Sequence, residues 1–263
     1  MKVRRFSTRD LATVYAAARV ESLLAREENP VLGLATGATP IMLYRCLADF
    51  HRQGLSFASV TTINLDEYVG LPPSHPQSYR RFMEDHLFSQ IDIDPSRTYI
   101  PDGMAADPEA ECGRYDAIIA ENPIHLQVLG IGRNGHIGFN EPDLSLKTRT
   151  HVIDLTQDTV RANARFFSHE SEVPTRAITM GIQSILQARE IILLAFGRDK
   201  AEAVKRALSG DVSTKVPASF LQMHANVTFV LDDEAASLLP APPHAVAPAS
   251  QWDTVNWRQG EDS

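Results

Sequence analysis

Short apolar runs alternate with amphipathic segments along most of the chain. Runs that predict strands lie at 31–35 (VLGLA), 60–65 (VTTINL), 124–130 (IHLQVLG), 176–180, 191–197 (IILLAFG) and 226–231. Segments with apolar residues at helical spacing lie at 9–28, 40–53, 77–89, 107–121, 156–165, 181–188 and 199–208. Nearly continuous apolar strands that alternate with helices are typical of a parallel sheet covered on both faces. The pattern therefore predicts an α/β fold with a mostly parallel sheet.

The length and the positions of proline predict one domain followed by a tail. The chain has 263 residues, and α/β proteins often use about 250 residues as a single domain. We expect that domain to cover residues 1–238. Several prolines predict a loop at 66–76, and the polar stretch 166–175 predicts a mobile loop. The proline-rich end predicts an extended or disordered tail over 239–263.

The charge of the chain limits the kinds of partner. Its net charge is −8 and its pI is about 5.6. Nucleic-acid phosphates are bound by clustered Lys and Arg, so we expect no nucleic-acid partner, whereas a small phosphorylated ligand needs only a few donors. Cys46 and Cys112 have neither metal-binding nor disulfide spacing. Because the chain shows no signal peptide and no apolar run near the ~18 residues of a membrane span, we expect a cytoplasmic protein without a membrane partner.

Four polar segments follow predicted strands, at 36–40, 66–70, 131–142 and 197–200. Ligands of open α/β sheets bind beyond the carboxyl ends of the strands. The first segment, TGATP, contains Thr36, Gly37, Ala38 and Thr39 and precedes a helix. Glycine lets the backbone approach a ligand, threonine hydroxyls donate hydrogen bonds, and the N–H groups of a helix N-terminus bind anions. The segment suits a phosphate monoester; the alternative is a capped tight turn.

The segment GIGRNGHIGFNEP (130–142) combines four glycines with Asn134, His136 and Glu141. An unperturbed histidine titrates near ~6.5, so His136 is the side chain of this loop expected to exchange a proton near neutral pH. Glu141 is close enough in sequence to orient the ring or balance its charge. The alternative is a solvated or core histidine, but four glycines directly after a buried strand favour a functional loop. His136 and Glu141 provide only two ligands, so no metal site is predicted.

The segment NLDEY (64–68) ends a predicted strand in two adjacent carboxylates. If the strand continues, Asp66 and Glu67 point to opposite sides. One of them is then able to enter the site as a base while the other pairs elsewhere. The alternative is a solvated strand end.

Together these segments resemble the glucosamine-6-phosphate deaminase family over about residues 30–235. The matching motifs occur in the family's order and spacing: LATGATP, NLDEYVGLPPSHPQSY, GIGRNGHIGFNEP, ANARFF and LLAFGRDKA. The resemblance implies a modified Rossmann-like α/β sheet in a single domain, with a lid at about 156–180. It also implies conversion of glucosamine 6-phosphate and water to fructose 6-phosphate and ammonia, without a cofactor.

The resemblance also implies roles for individual residues. Asp66 looks like the base that moves a proton between C2 and C1, and His136 looks like the group that opens the sugar ring at O5, with Glu141 as its partner. Phosphate binding is implied for residues 36–39 together with Arg165 and Lys200. Many family members carry Asp where this chain has Asn134. That difference makes Asn134 a neutral positioning residue and leaves the support of a charged His136 mainly to Glu141.

A second departure concerns activation by an N-acetylated sugar phosphate. Family members that respond to this effector carry basic residues shortly after the NEP motif, at positions that look like His151 and Ile153 in this chain. Because Ile153 carries no charge, we expect this activation to be absent. The family includes monomers and hexamers, so a homo-oligomer is left open.

Three other functions fit the same resemblance. A deaminase of galactosamine 6-phosphate differs in one hydroxyl of its substrate, and nothing in the sequence excludes it. A hydrolase of the 6-phosphogluconolactonase type shares the fold but needs no base at C2, so the NLDEY segment counts against it. A sugar-phosphate-sensing domain without catalysis would lack Asp66 or His136.

Overall fold

The computed structural model describes residues 1–155, 160, 164, 167, 169, 172–240 and 255–256. The strands are β1 (Lys2–Phe6), β2 (Val31–Leu34), β3 (Thr61–Asn64), β4 (Asp66–Tyr68), β5 (Thr98–Tyr99), β6 (Leu126–Leu129), β7 (His151–Asp154), β8 (Arg176–Thr179), β9 (Glu190–Ala195), β10 (Val227–Asp232) and β11 (Val255–Asn256). The α-helices are α1 (Arg9–Leu24), α2 (Ile41–Arg52), α3 (Tyr79–His86), α4 (Pro108–Glu121), α5 (Ile182–Leu186) and α6 (Ala201–Ser209).

The main sheet has eight strands in the order β11-β1-β10-β9-β6-β2-β3-β5. All neighbouring strands are parallel except β11, which runs antiparallel to β1. Parallel strands need crossover connections, and α1, α2, α4 and α6 provide them. The prediction of a mostly parallel α/β sheet is confirmed.

Helices cover both faces of this sheet, as predicted. On one face, buried residues of α1, α2 and α3 pack against the strands, with Tyr44 and Met83 fully enclosed. On the other face, α4, α5 and α6 pack against alternate strand residues, including Ile63 and Phe229. Strands enclosed on both faces explain the unbroken apolar runs that the sequence shows.

Most predicted elements are present with shifted ends. The helix predicted at 9–28 ends at Leu24, and the helix predicted at 77–89 divides into α3 and a 3₁₀ turn at Phe88–Gln90. Ser78 sets the start of α3, because its hydroxyl accepts the N–H of Arg81 at 3.0 Å. Side-chain capping of this kind fixes a helix start more sharply than apolar spacing does.

A second, antiparallel sheet with the order β4-β8-β7 was not predicted. Residues 66–76 are predicted as a loop, and this prediction is wrong for Asp66–Tyr68, which form β4. Strand β4 pairs with β8, with Asp66 opposite Thr179. The prolines at 72 and 73 indicate the loop correctly. They do not show that residues 66–68 form a strand by pairing with β8, more than 100 positions later in the chain.

Parts of the predicted lid and tail lie outside the described residues. In the helix expected at 156–165 and the polar stretch after it, this group contains residues 156–159, 161–163, 165, 166, 168, 170 and 171, so the lid stays a prediction. Within the predicted tail, Val255 and Asn256 pair with Val3 and Lys2 of β1. For residues 241–254 and 257–263, disorder stays a prediction. Among the described helices, none has the length and apolar character to cross a bilayer.

Candidate active site

The four polar segments lie at one edge of the main sheet. Strands β9, β6, β2 and β3 are consecutive neighbours, and the segments that follow them are 197–200, 130–142, 36–40 and the start of β4. Parallel neighbours lie ~4.8 Å apart, and their carboxyl ends share one edge. The sheet order therefore brings together segments that are up to about 160 positions apart in the sequence.

Asp66 stands where the chain leaves the main sheet and enters the small one. Leu65 makes the change, because its N–H donates to Leu34 O at 3.0 Å while its carbonyl accepts the N–H of Met180 at 2.7 Å. Asp66 is only 6% exposed. Burial, with a smaller contribution from the charge of Glu67, raises the pKa of Asp66 to about 8. A carboxyl group with such a pKa is able to take and return a proton near neutral pH.

Glu67 points away from Asp66 and binds the start of α3. Its carboxylate accepts the backbone N–H groups of Tyr68, Tyr79 and Arg80 at 2.9, 2.8 and 2.9 Å. Burial raises the pKa of Glu67, and these N–H groups act against that effect. Of the two adjacent carboxylates, Glu67 is therefore the structural one.

Asn134, His136 and Glu141 are in mutual contact within the 130–142 loop. Nδ1 of His136 lies 3.0 Å from Oε1 of Glu141, which is an ion-pair distance when the ring is protonated. The Asn134 amide donates to Oε2 of Glu141 at 2.5 Å, and its carbonyl accepts the His136 N–H at 3.2 Å. Burial acts to raise the pKa of Glu141, but contacts with His136 and Asn134 outweigh it and lower the pKa.

The same loop lies against Asp66. A Cβ atom placed on Gly138 would be 3.6 Å from Oδ2 of Asp66 and 3.1 Å from the Thr179 hydroxyl. That hydroxyl accepts the N–H of Phe139 at 3.1 Å, and the Asn140 amide donates to the carbonyl of Met180 at 2.9 Å. The loop is thus attached to β8 and its end, next to the predicted base.

The segment 36–39 has the form of an anion site. Gly37 has φ +96°, a conformation that favours glycine. Pro40, at the N-cap of α2, makes no side-chain capping hydrogen bond, so the first N–H groups of this twelve-residue helix remain available. The Tyr79 hydroxyl connects this segment with the small sheet, because it contacts the Thr36 side chain and lies 3.1 Å from the Tyr68 hydroxyl.

The segment 197–200 is held by a buried carboxylate and by an ion pair. Gly197, with φ +87°, donates its N–H to both oxygens of Asp232 at 3.1 and 2.9 Å. Oδ2 of Asp199 accepts from Nε of Arg133 at 2.9 Å, which joins this segment to the His136 loop. Lys200 is half-buried, and burial lowers its pKa while Asp199 acts to raise it.

The structure therefore brings most of the predicted site residues to one place. Asp66 lies beside the loop of Asn134, His136 and Glu141, and residues 36–39 and Lys200 follow β2 and β9, the strands on either side of β6. Arg165 lies outside the described residues, so its role stays a prediction. Tyr79 and Asp232 are not among the site residues predicted from the sequence. Asp232 ends the last strand of the parallel set, so the rule that sites lie at strand carboxyl ends could have found it.

Comparison with known proteins identifies the family of the chain. The sequence model described as "Glucosamine-6-phosphate isomerases/6-phosphogluconolactonase" matches residues 7–230. The chain belongs to this family. A glucosamine-6-phosphate deaminase of Halothermothrix orenii is 55% identical over 226 residues, which are 85% of this chain and 94% of the relative. One of Rhodopirellula baltica is 54% identical over 230 residues, 85% of this chain and 92% of the relative.

Solved structures of the family share the fold. A monomeric glucosamine-6-phosphate deaminase superposes with a TM-score of 0.87 at 48% identity, over 90% of this chain and all of the other. The 6-phosphogluconolactonase of Trypanosoma cruzi has a TM-score of 0.74 at 19% identity, over 91% of this chain and 97% of the other. At that identity the second likeness concerns the fold alone. The predicted family membership is confirmed.

Proposed function

We propose that the protein converts glucosamine 6-phosphate and water into fructose 6-phosphate and ammonia, without a cofactor. The observation that carries this proposal is the pairing of a buried Asp66 with the His136 loop at the carboxyl edge of the sheet. The names of relatives at 51–55% identity support the same substrate. The site also provides separate groups for the ring oxygen, for the reacting carbons and for the phosphate.

Ring opening is assigned to His136. Because Nδ1 faces Glu141, Nε2 is the nitrogen that exchanges a proton with the sugar. As the C1–O5 bond breaks, O5 gains a proton and the hydroxyl on C1 loses one to give the aldehyde. The Glu141 carboxylate stabilises the charged form of the ring, and Asn134 holds that carboxylate in place.

Proton transfer between the carbons is assigned to Asp66. As a carboxylate it takes the C2 proton while the ammonium group of the substrate passes a proton to O1, which gives an enolamine. The same carboxyl group returns the proton to C1, leaving a protonated imine at C2. Water adds to the imine, and ammonia leaves to form the ketone. The ammonium group of the bound substrate favours the ionised form of Asp66, which counters the effect of burial on its pKa.

Phosphate binding is assigned to residues 36–39, the N-terminus of α2 and Lys200. Arg165 completes the set by resemblance. These groups bind the phosphate, which is distant from the reacting carbons, so their binding energy positions C1 and C2 against Asp66. We further propose a cytoplasmic location, and nothing in this assignment requires more than one subunit.

Replacement of Asp66 by Asn tests the assignment. We expect kcat for ammonia release from glucosamine 6-phosphate to fall roughly 10²–10⁴-fold with KM changed less than about threefold, because Asn keeps the shape and loses the base. Asp85→Asn is the matched control, since Asp85 is an exposed carboxylate paired with Arg81. Near-normal turnover by Asp66→Asn would remove the proposed base.

The same assay separates the alternatives. Galactosamine 6-phosphate and 6-phosphogluconolactone are offered to the unmodified protein under identical conditions. We expect glucosamine 6-phosphate to have the highest kcat/KM. Preference for the C4 epimer would reassign the substrate, and lactone hydrolysis without ammonia release would reassign the reaction.

A further inference from the structure

The ring of His136 lies directly over the α-carbon of Gly132. A Cβ atom placed on Gly132 would be 2.3 Å from Cε1, 2.4 Å from Nδ1 and 2.5 Å from Nε2 of the ring. Non-bonded carbon atoms pack at about 3.5–4.0 Å. The imidazole therefore occupies the space that any side chain at position 132 would fill.

The backbone keeps the two residues in this arrangement. The N–H of Gly132 donates to the carbonyl of His136 at 3.0 Å, and the N–H of Gly135 donates to the carbonyl of Gly132 at 3.0 Å. These two bonds close the turn that carries His136. Since the main chain of residue 136 is tied to residue 132, a new side chain at position 132 is accommodated by rotating the His136 ring out of its present position.

Backbone conformation does not explain the glycine at this position. Gly135 and Gly138 have φ of +93° and +58°, in the region that favours glycine, whereas Gly132 does not have a positive φ. Gly130 also lacks a positive φ, and a Cβ atom placed there would meet no atom within 4 Å. Gly130 and Gly132 thus lie two residues apart in the same loop, but only Gly132 is covered by the His136 ring.

We propose that Gly132 is a positioning residue whose bare α-carbon provides the packing surface for the His136 imidazole. With Gly132 on one side and Glu141 at Nδ1, the ring has a single orientation, and Nε2 faces the substrate. The assignment of Nε2 to ring opening rests on the proposed function, but the steric contact itself does not.

A pair of alanine substitutions tests the effect on catalysis. Gly132→Ala displaces the ring, so kcat for ammonia release should fall roughly 10- to 100-fold while KM changes little, because the phosphate contacts are unaffected. Gly113→Ala is the control, because Gly113 is an exposed residue of α4 where an added Cβ would meet no atom within 4 Å, and it should keep kcat within about twofold. Similar losses in both variants, or in neither, would overturn the proposal.

The carboxyl group of Glu141 gives a spectroscopic measure that general damage to the fold would not reproduce. Contact with His136 contributes to the lowered pKa of Glu141. In Gly132→Ala this contact is lost, so the pKa measured by ¹³C NMR of the labelled carboxyl should rise. In Gly113→Ala it should stay at the value of the unmodified protein. An unchanged Glu141 pKa in a folded Gly132→Ala protein would contradict the proposal.

A double-mutant cycle tests the contact independently of activity. Gly132→Ala should lower the urea midpoint of unfolding in the unmodified background and leave it unchanged in a His136→Ala background, where the space over residue 132 is free. If Gly132→Ala alone does not fold, a folded double variant supports the proposal. An equal loss in both backgrounds, or failure of both to fold, overturns it. Absence of ammonia release by the unmodified protein would instead reject the proposed function.

Discussion

At the scale of single residues, the protonation of Asp66 controls the proposed reaction. Burial raises its pKa to about 8, so in the free protein the group is mostly protonated at pH 7 and ionised above pH 8. The base form alone accepts the C2 proton. We therefore expect kcat/KM for ammonia release to fall about tenfold per pH unit below this pKa. This fall is the acid limb of the pH profile, and it is measured from initial rates at low substrate concentration between pH 6 and 9.5.

A variant of the neighbouring carboxylate separates this effect from ionisation of the substrate. The charge of Glu67 contributes to the raised pKa of Asp66, so Glu67→Gln should move the acid limb to lower pH. The substrate ionises identically in both assays. Asp85→Asn should leave the limb in place, because Asp85 is an exposed residue of α3. If the acid limbs of the unmodified protein, Glu67→Gln and Asp85→Asn coincide, Asp66 does not govern the pH dependence of kcat/KM.

The sequence could predict residues whose chemistry is local. The neighbours Asp66 and Glu67 alternate across a strand, and His136 and Glu141 share one loop, so residue type and spacing indicated that they lie together, while their roles came from the resemblance. Tyr79 is a different case, because its hydroxyl reaches Thr36 only after α3 and the 36–39 segment fold against each other. No spacing along the chain encodes such a contact.

At the scale of elements, the sequence pattern predicted the apolar strands that are enclosed on both faces. It did not predict the strands that contain several charged residues. Strand β9 is apolar after its first residue, Glu190, whereas β1 contains Lys2, Arg4 and Arg5, which hide its pairing with β10. The three-residue strand β4 depends on β8 for its hydrogen bonds. Its pattern is too short to predict a strand from periodicity alone.

The end of β10 provides a prediction at this scale. Asp232 accepts the Gly197 N–H with both carboxylate oxygens and the Ala235 N–H at 2.8 Å, which fixes the turn before Lys200. Asp232→Asn places an amide N–H₂ against a backbone donor. We expect a loss of about 1 kcal/mol in phosphate binding, seen as a roughly fivefold rise in KM with kcat retained.

The adjacent residue is the control for this variant. Asp233 is half-exposed and pairs with Arg5 rather than with Gly197. Asp233→Asn should therefore leave KM unchanged. A rise in KM that is equal for both substitutions would show that general charge, rather than the Gly197 turn, is responsible.

At the scale of the whole molecule, the sheet order was the part of the fold that local pattern could not give. Strands β2 and β6 are neighbours, although β3, β4 and β5 come between them in the chain. Pairings of this length depend on how the helices pack, and no strand order was predicted from the sequence. That order is also what places the His136 loop between the two segments assigned to phosphate.

The small sheet bears on regulation, because it contains both positions that the resemblance connects with an effector. Ile153 packs against the apolar cluster that includes Tyr68 and Phe139. The ring of His151 lies 2.9 Å from the carbonyl of Arg149, and burial lowers its pKa. His151 is therefore neutral at pH 7.5, and neither position supplies a positive charge for a phosphate.

We accordingly expect N-acetylglucosamine 6-phosphate not to activate the protein. Saturation curves for glucosamine 6-phosphate at pH 7.5 should be hyperbolic, and the effector should leave the half-saturation concentration unchanged or raise it by competing at the active site. Because a lowered pKa means that protonation of His151 needs a more acidic solution, a repeat at pH 6 is the more demanding measurement. A several-fold decrease in half-saturation at either pH would contradict the prediction and would require cationic groups other than those at positions 151 and 153.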